Sequence, residues 1–425
     1  MSKRVVITGL GVVAPNGTGS EQFLHSLKNG ISGIRFIEEL KELGFGCQIG
    51  GVPDISQSSF LPAIEKYGYT DASDVIRLAI AAGLEAWIDA GLEIPDRFES
   101  DPDYESGCII GSGIGTADIF GNKIIPHTNE KNIRRLRSTI VEHSMLSGPS
   151  AALTAILGLG NQNTFNSSAC STGAESVIMA FDRIASGKAD RMLAGGTDAF
   201  SPYGWAGFDA MRVLTRKHND EPEKGSRPLS ASASGFAPGA GAGILLIESL
   251  ESASKRNARI YAEILSGEIN SGGQRQSGTM TAPNPHAVIR CIHSAIKSAN
   301  IEAGQIDFIS GHLSSTMADV IEIKNWVKAL GLPKQDFPYI NSCKSMTGHC
   351  IGAAGGIEIV AAIMQLYHGF VHPSLNSEDL HPEISDIIDR EKIPLQLIEN
   401  ADIKYVAKAS FGFGDVNTCL ILGKL

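Results

Sequence analysis

The chain has no basic surplus. Its 425 residues hold 36 Lys and Arg against 46 Asp and Glu, a formal net charge of −10. Binding along a phosphate backbone needs a basic footprint, so nucleic acid is excluded as the main partner. A cysteine framework is missing too. Cys47, Cys108, Cys170, Cys291, Cys343, Cys350 and Cys419 are odd in number, irregular in spacing and contain no CxxC pair. That argues against a disulfide scaffold or a zinc site and fits a reducing compartment. No apolar run approaches the ~20 residues that span a bilayer. The opening MSKRVVITGLGVVAPNG has the basic tip and apolar run of a signal peptide, but glycines interrupt it and no A-x-A cleavage site follows. Low-complexity tracts and long Pro/Ser linkers are absent as well. The expectation is a soluble, cytoplasmic chain with no membrane span, whose opening is a buried strand.

What is present is core-forming. Hydrophobic residues make up 43% of the chain and charged residues 19%, enough for a sizeable interior. The 47 glycines suit many tight strand–helix turns. Strand-like runs (RVVITGLG, SGCIIGSGIG, DRMLAGGTDA, GAGILLIESL) alternate with helical stretches such as SDVIRLAIAAGLEAWIDAG at 73–91. The alternation predicts an α/β architecture with largely buried sheets. Residues 248–270 form a seam, where RIYAEILSGEIN echoes RVVITGLGVV. We therefore expect two halves, 1–255 and 256–425.

Three stretches carry reactive side chains. In NSSACSTGAES, residues 166–176, Cys170 follows the short run NTFNSSA, which reads as a buried strand. It precedes a helical pattern of Val177, Ile178, Phe181, Ile184 and Ala185. Such a cysteine is either a small packed hydrophobe or a nucleophile whose thiolate is favoured by a helix N-terminus. ISGHLSSTMADVIE holds His312. NSCKSMTGHCIGAAGGIE holds Lys344, His349 and Glu358. Each has an ordinary structural reading, as a satisfied histidine or a surface ion pair. Together one thiol, two imidazoles and a charge pair suit nucleophilic acyl chemistry, in which donors stabilise a developing oxyanion or enolate.

Over nearly its whole length the chain resembles the β-ketoacyl-acyl-carrier-protein synthases, of the elongating Cys-His-His type. The resemblance rests on RVVITGLGVVAPNG, ACSTGAES, ADRMLAGGTDA, CKSMTGHCIGAAGGIE and SFGFGDVN, in that order. It implies a thiolase-like fold whose duplicated halves form a layered αβαβα arrangement, with the cysteine in the first half and both histidines in the second. It implies decarboxylative condensation of an acyl group on Cys170 with malonyl carrier protein, in fatty-acid or related polyketide or polyene synthesis. His312 and His349 match the malonyl-binding histidines. Lys344 and Glu358 match a lysine and its carboxylate partner. Phe413 matches the gating phenylalanine, and the backbone N–H groups of Cys170 and Phe413 an oxyanion hole. Thr281, Ser314 and Thr316 fall where the family contacts phosphopantetheine. Arg212 matches a carrier-protein contact; apart from the resemblance, the basic stretch KNIRRLR, with Arg134, Arg135 and Arg137, is either a local patch for an acidic partner or a solvated helix face. The resemblance further implies no metal or organic cofactor, an acyl carrier protein as partner, and a homodimer or a heterodimer with a related subunit. A non-catalytic partner subunit of the chain-length-factor kind is the alternative; Cys170 and both histidines speak against it. A thiolase would need a second reactive cysteine, and an initiating synthase an asparagine in place of His349.

The chain departs from the pattern beside these residues. Leu313 stands where glycine follows the first histidine, in a loop apparently one residue shorter. Ser230, Ala233, Ser234 and Ala240 replace charged residues. Asp415 and Val416 replace the usual Gly-Thr. Leu313 is expected to fill space beside His312. Asp415 is expected to point away from the thiol and to be hydrogen-bonded or paired, with Lys408 as one partner.

Overall fold

The computed structural model describes residues 2–97 and 99–425. Its first strand is β1, Val5–Ala14, every residue of which is buried. The other strands of its main sheet are β2 (Ser106–Gly111), β3 (Asn163–Thr164), β4 (Arg191–Asp198), β5 (Gly241–Ser249), β6 (Ala262–Ser271), β7 (Phe308–Ser310), β8 (Tyr339–Asn341), β9 (Tyr405–Gly412) and β10 (Val416–Gly423). With Gly17–Thr18 appended to β1, they form one mixed sheet in the order β8-β7-β9-β10-β6-β1-β5-β4-β2-β3.

The order repeats from the centre outward. On one side run β1, β5, β4, β2 and β3; on the other, β6, β10, β9, β7 and β8. The pairing senses repeat as well, antiparallel for the inner two pairs and parallel for the outer two. β1 and β6 join the sides at the centre, Val5 opposite Ile264 and Ile7 opposite Ala262. The faint echo of RVVITGLGVV in RIYAEILSGEIN therefore marks equivalent strands.

Helices layer this sheet. Among them α1 (Asp74–Asp89), capped by the Ser73 side chain, and α2 (Gly148–Leu157) cover one outer face. α4 (Pro285–Ser298) and α5 (Ala318–Leu330) cover the other. Between the two sides lie α3 (Thr172–Ala185) and α6 (Ala354–His368), whose side chains share one core with β1, β4, β5, β6, β7, β9 and β10. The result is the expected five-layer, thiolase-like α/β arrangement. The segment Ile351–His368 is long and apolar enough to cross a membrane by composition, but 89% of it is buried inside the protein. It is the central helix of the core.

Candidate active site

The site gathers the turns that follow the strand ends. NTFNSSA does not form the expected buried strand: only Asn163–Thr164 pairs, at the sheet edge, and neither residue is fully buried. The chain then turns sharply, with Ala169 at a positive φ of 51°, and Cys170 lies in the short helical turn Ala169–Ser171 that leads into α3. Two hydrogen bonds from Ser171 Oγ, to the carbonyls of Ser410 at 3.2 Å and Val416 at 3.1 Å, tie this turn to the β9–β10 hairpin. The hairpin backbone comes so close that a Cβ on Gly412 would lie 2.8 Å from the Ser168 carbonyl oxygen. That approach brings the Phe413 N–H onto the Cys170 sulfur.

Cys170, His312 and His349 converge. One reactive atom from each lies within 4.8 Å of the other two, and the imidazole centroids are 5.3 Å apart. The Ile351 N–H donates to His349 Nδ1 at 3.0 Å, so the proton of the neutral ring sits on Nε2. The backbone of His349 is pinned through its N–H to Ala237 O and through its carbonyl from Gly239 N, both 2.8 Å. His312 Nδ1 faces the Lys344 ammonium at 3.5 Å. An ammonium only donates, so this ring too carries its proton on Nε2. Burial and the neighbouring Lys344 charge hold both imidazoles well below the ordinary histidine pKa.

Lys344 and Glu358 are each 1% exposed and form an ion pair, with the Lys344 Nζ also donating to the His312 carbonyl at 2.6 Å. The surface-pair reading is thus excluded. The expectation of a thiolate favoured by a helix N-terminus is not met. Burial pushes the Cys170 thiol up to about 11, with Lys344 and the Phe413 N–H pulling the other way.

Above Cys170 opens a mostly apolar cavity of about 220 Å³, walled by Phe208, Phe236, Ile351, Phe411 and Phe413. Thr281, Ser314 and Thr316 also line it, and the two hydroxyls of Ser314 and Thr316 lie 3.1 Å apart. Arg212 is exposed, at a φ of 57°, directly before the lining residue Val213. The arginine cluster does not join it: Arg135 and Arg137 border a separate hollow with Asp71 and His127, and Arg137 lies 3.9 Å from Asp71.

Two expectations about the departures are corrected. Leu313 does not enter the cavity. It is fully buried among Ile323, Trp326 and Phe411, and the positive φ of its loop falls on Ser315 instead. Asp415 does point away into hydrogen bonds, from Asn284 N at 2.7 Å and Gln274 N at 3.0 Å. Its partner is not Lys408, which binds Glu358 at 2.8 Å. Ser230 bonds to Asp379, which also takes the Arg227 guanidinium, and Ser234 bonds to Thr215. Nothing in the structure explains Ala233 or Ala240.

Three buried acids escaped the sequence reading, and Lys408 was named there only as a partner for Asp415. Asp198, at the end of β4, accepts from Ser112 Oγ and from the N–H groups of Gly113, Ile114 and Gly352, so it locks three turns together. Asp319 accepts from Leu229, Ser314 and Ser315 N–H. Glu322 accepts from His312 N–H at 2.7 Å and Leu313 N–H at 2.8 Å. Burial raises these two carboxyls to about 6 and about 7. A signal was available for Asp319, an acid in the first turn of the helix that follows the His312 loop; Glu322 lies one turn further on. Lys408 offered none.

The cluster Cys170, His312 and His349 also has donor types that bind zinc. Buried ammonium groups directly behind it oppose a cation there.

Two family models match the chain: Beta-ketoacyl synthase, N-terminal domain, over residues 2–253, and Beta-ketoacyl synthase, C-terminal domain, over residues 261–378. The chain is 34% identical to 3-oxoacyl-[acyl-carrier-protein] synthase 2 of Vibrio harveyi, covering all of both chains. It is 33% identical to 3-oxoacyl-[acyl-carrier-protein] synthase 1 of Escherichia coli K12, over 100% of this chain and 99% of that one. Among solved structures it resembles a type II PKS ketosynthase in complex with its acyl-carrier protein, AntDE:AntF, at a TM-score of 0.87 and 28% identity. It resembles the ishigamide ketosynthase/chain length factor at 0.87 and 29%; each match covers all of both chains.

Proposed function

Because the chain belongs to the β-ketoacyl synthase family, and is thus an acyltransferase of the β-ketoacyl-acyl-carrier-protein synthase kind, we propose the following roles for its residues. Cys170 attacks the thioester of an acyl carrier protein. The tetrahedral oxyanion sits on the N–H groups of Cys170 and Phe413. As the C–S bond breaks, the Cys170 proton goes to the departing pantetheine thiol, which suits a resting thiol with a raised pKa. Malonyl carrier protein enters next, its arm against Thr281, Ser314 and Thr316. Its thioester oxygen accepts from the Nε2–H groups of His312 and His349. CO₂ leaves with the carboxylate charge passing to an enolate that these donors stabilise. The enolate carbon attacks the Cys170 thioester, and the thiolate leaves as β-ketoacyl carrier protein forms. Lys344 and Glu358 hold His312; Phe413 gates the cavity. No metal or organic cofactor enters any step.

The observation that carries this reading is the convergence of one thiol and two Nε2–H donors on one apolar cavity. The halves 1–255 and 256–425 contribute the cysteine and the histidines respectively, which the repeated strand order supports. The acyl carrier protein docks beside Arg212; the exposed Met280 and Met317 are chain neighbours of the lining residues Thr281 and Thr316. The site acts in a cytoplasmic homodimer, or in a heterodimer with a related subunit. A non-catalytic chain-length-factor role is not favoured, because nothing of the reactive set is missing.

Intact-mass spectrometry after incubation with a panel of acyl carrier proteins tests the reading. The wild type gains the acyl mass, Cys170→Ala gains none, and Cys170→Gln gains none but still decarboxylates malonyl carrier protein. An adduct that survives denaturation on the alanine variant overturns the assignment.

A further inference from the structure

Behind the two histidines lies a charge arrangement larger than the Lys344–Glu358 pair. Lys408, on β9, is fully buried. Its ammonium donates to Ser410 Oγ at 2.9 Å and to the Ala409 carbonyl, and it pairs ionically with Glu358 Oε2 at 2.8 Å. Lys344 donates to Glu358 Oε1 and the His312 carbonyl and faces His312 Nδ1. Each amine is thus surrounded by three oxygen or nitrogen acceptor atoms and no donor, which suits two protonated amines. One carboxylate therefore bridges two buried ammonium groups, and a positive charge is left over.

We propose that Lys408 is a positioning residue of the decarboxylation step: a second buried cation that fixes Glu358 and leaves the site's inner wall with one unbalanced positive charge. The proposal rests on the roles given above for His312 and His349. In a buried site such a charge acts at reduced screening. It opposes protonation of either imidazole, so both remain Nε2–H donors. It also favours the negative charge that builds on the substrate oxygen facing them.

In mild acid, the range in which an imidazole would take up a proton, the surrounding titratable groups leave this surplus in place; above about pH 7 Glu322 ionises and offsets it. Glu322, on α5, is raised to about 7, so it is protonated in mild acid. Burial keeps the thiols of Cys343 and Cys419 neutral. Asp198 lies across the site, its carboxylate satisfied by four donors. Burial holds the Lys408 ammonium below the ordinary lysine pKa, with Glu358 opposing that shift and the Lys344 charge adding to it. The acceptors around its Nζ speak for the charged form, which the double variant tests.

The test is the pH profile of malonyl-carrier-protein decarboxylation. In Lys408→Met the buried set carries no surplus charge, so the acid limb should move to higher pH by about half a unit or more. A lowered rate with an unmoved limb shows a purely structural lysine and overturns the proposal. The double variant Lys408→Met/Glu358→Gln removes one charge of each sign, restores the surplus and should return the limb to its wild-type position. A double-variant limb below the wild type means that Lys408 is uncharged in the native protein, which also overturns it. If the single variant does not fold, the double variant decides alone, since it leaves no unpaired carboxylate. Wild-type protein without any decarboxylation overturns the proposed function itself, and is seen before any lysine is changed.

Discussion

The Lys344 ammonium donates to the carbonyl oxygen of His312 at 2.6 Å and faces the Nδ1 of the same residue at 3.5 Å. One side chain thus fixes both the backbone and the tautomer of that histidine. Lys344→Ala should lower decarboxylation by roughly 10²–10³-fold, the usual cost of losing one oxyanion donor. Glu358 keeps Lys408, so the fold should persist and Cys170 should still accept an acyl group. Quenched-flow kinetics with separate acylation and CO₂ readouts checks this; equal losses in both steps would contradict it.

Glu322 makes stability depend on pH. Its folded pKa, about 7, lies above the ordinary glutamate value of 4.5. The folded state therefore holds the proton more tightly than the unfolded chain. This contribution is complete below about pH 4.5 and is lost as pH rises toward 7. In Glu322→Gln the urea midpoint should fall less than in wild type between pH 5 and 7.5. The substitution should also loosen the His312 loop, because a side-chain NH₂ cannot accept from a backbone N–H. Parallel midpoint-against-pH curves for the two proteins would count against the assignment.

Asp415 and Leu313 separate on inspection, although both depart from the family pattern next to the site. The Asp415 carboxylate clasps residues 272–284, and its oxygen would lie 2.2 Å from a Cβ on Gly272 and 2.6 Å from one on Gly278. Only glycine fits at either position. The Gly414 N–H meanwhile donates to Met280 O at 2.8 Å. The clasp joins the Phe413 turn to the loop carrying Thr281. Asp415→Gly should change the product ratio in a competition between acyl carrier proteins of different chain length, while decarboxylation survives. Leu313→Gly should instead cost about 2–5 kcal/mol of stability, as core truncations do, with chain preference unchanged. Denaturant unfolding and the same competition assay distinguish the two.

Arg212 and the Arg134–Arg137 stretch also part ways. Arg212 adjoins the cavity wall, whereas Arg135 and Arg137 border another hollow. Arg212→Ala should raise KM several-fold for carrier-bound substrates, and less so at high salt, where the charge is already screened. Small pantetheine thioesters should be unaffected. Arg135→Ala should change neither. Steady-state kinetics on both substrate forms is the measurement.

The sequence by itself determined the α/β class, the buried first strand and the family to which the chain belongs, and it named the residues proposed to react. Those features lie in local apolar periodicity and in short motifs whose chemistry is carried by a few adjacent side chains. Tertiary structure alone decided the charge environment. Lys408 reads in sequence as one residue in an apolar strand, and its partner Glu358 lies 50 positions earlier, on a central helix packed against that strand. The direction of the Cys170 shift followed the same logic, since desolvation by the assembled core outweighs the opposing Lys344 charge and Phe413 N–H. Leu313 faces the core because packing against Trp326 and Phe411 fixes its direction, which no spacing rule for a loop encodes. Burial and through-space charge are properties of the packed chain, and they set the protonation states on which the chemistry depends.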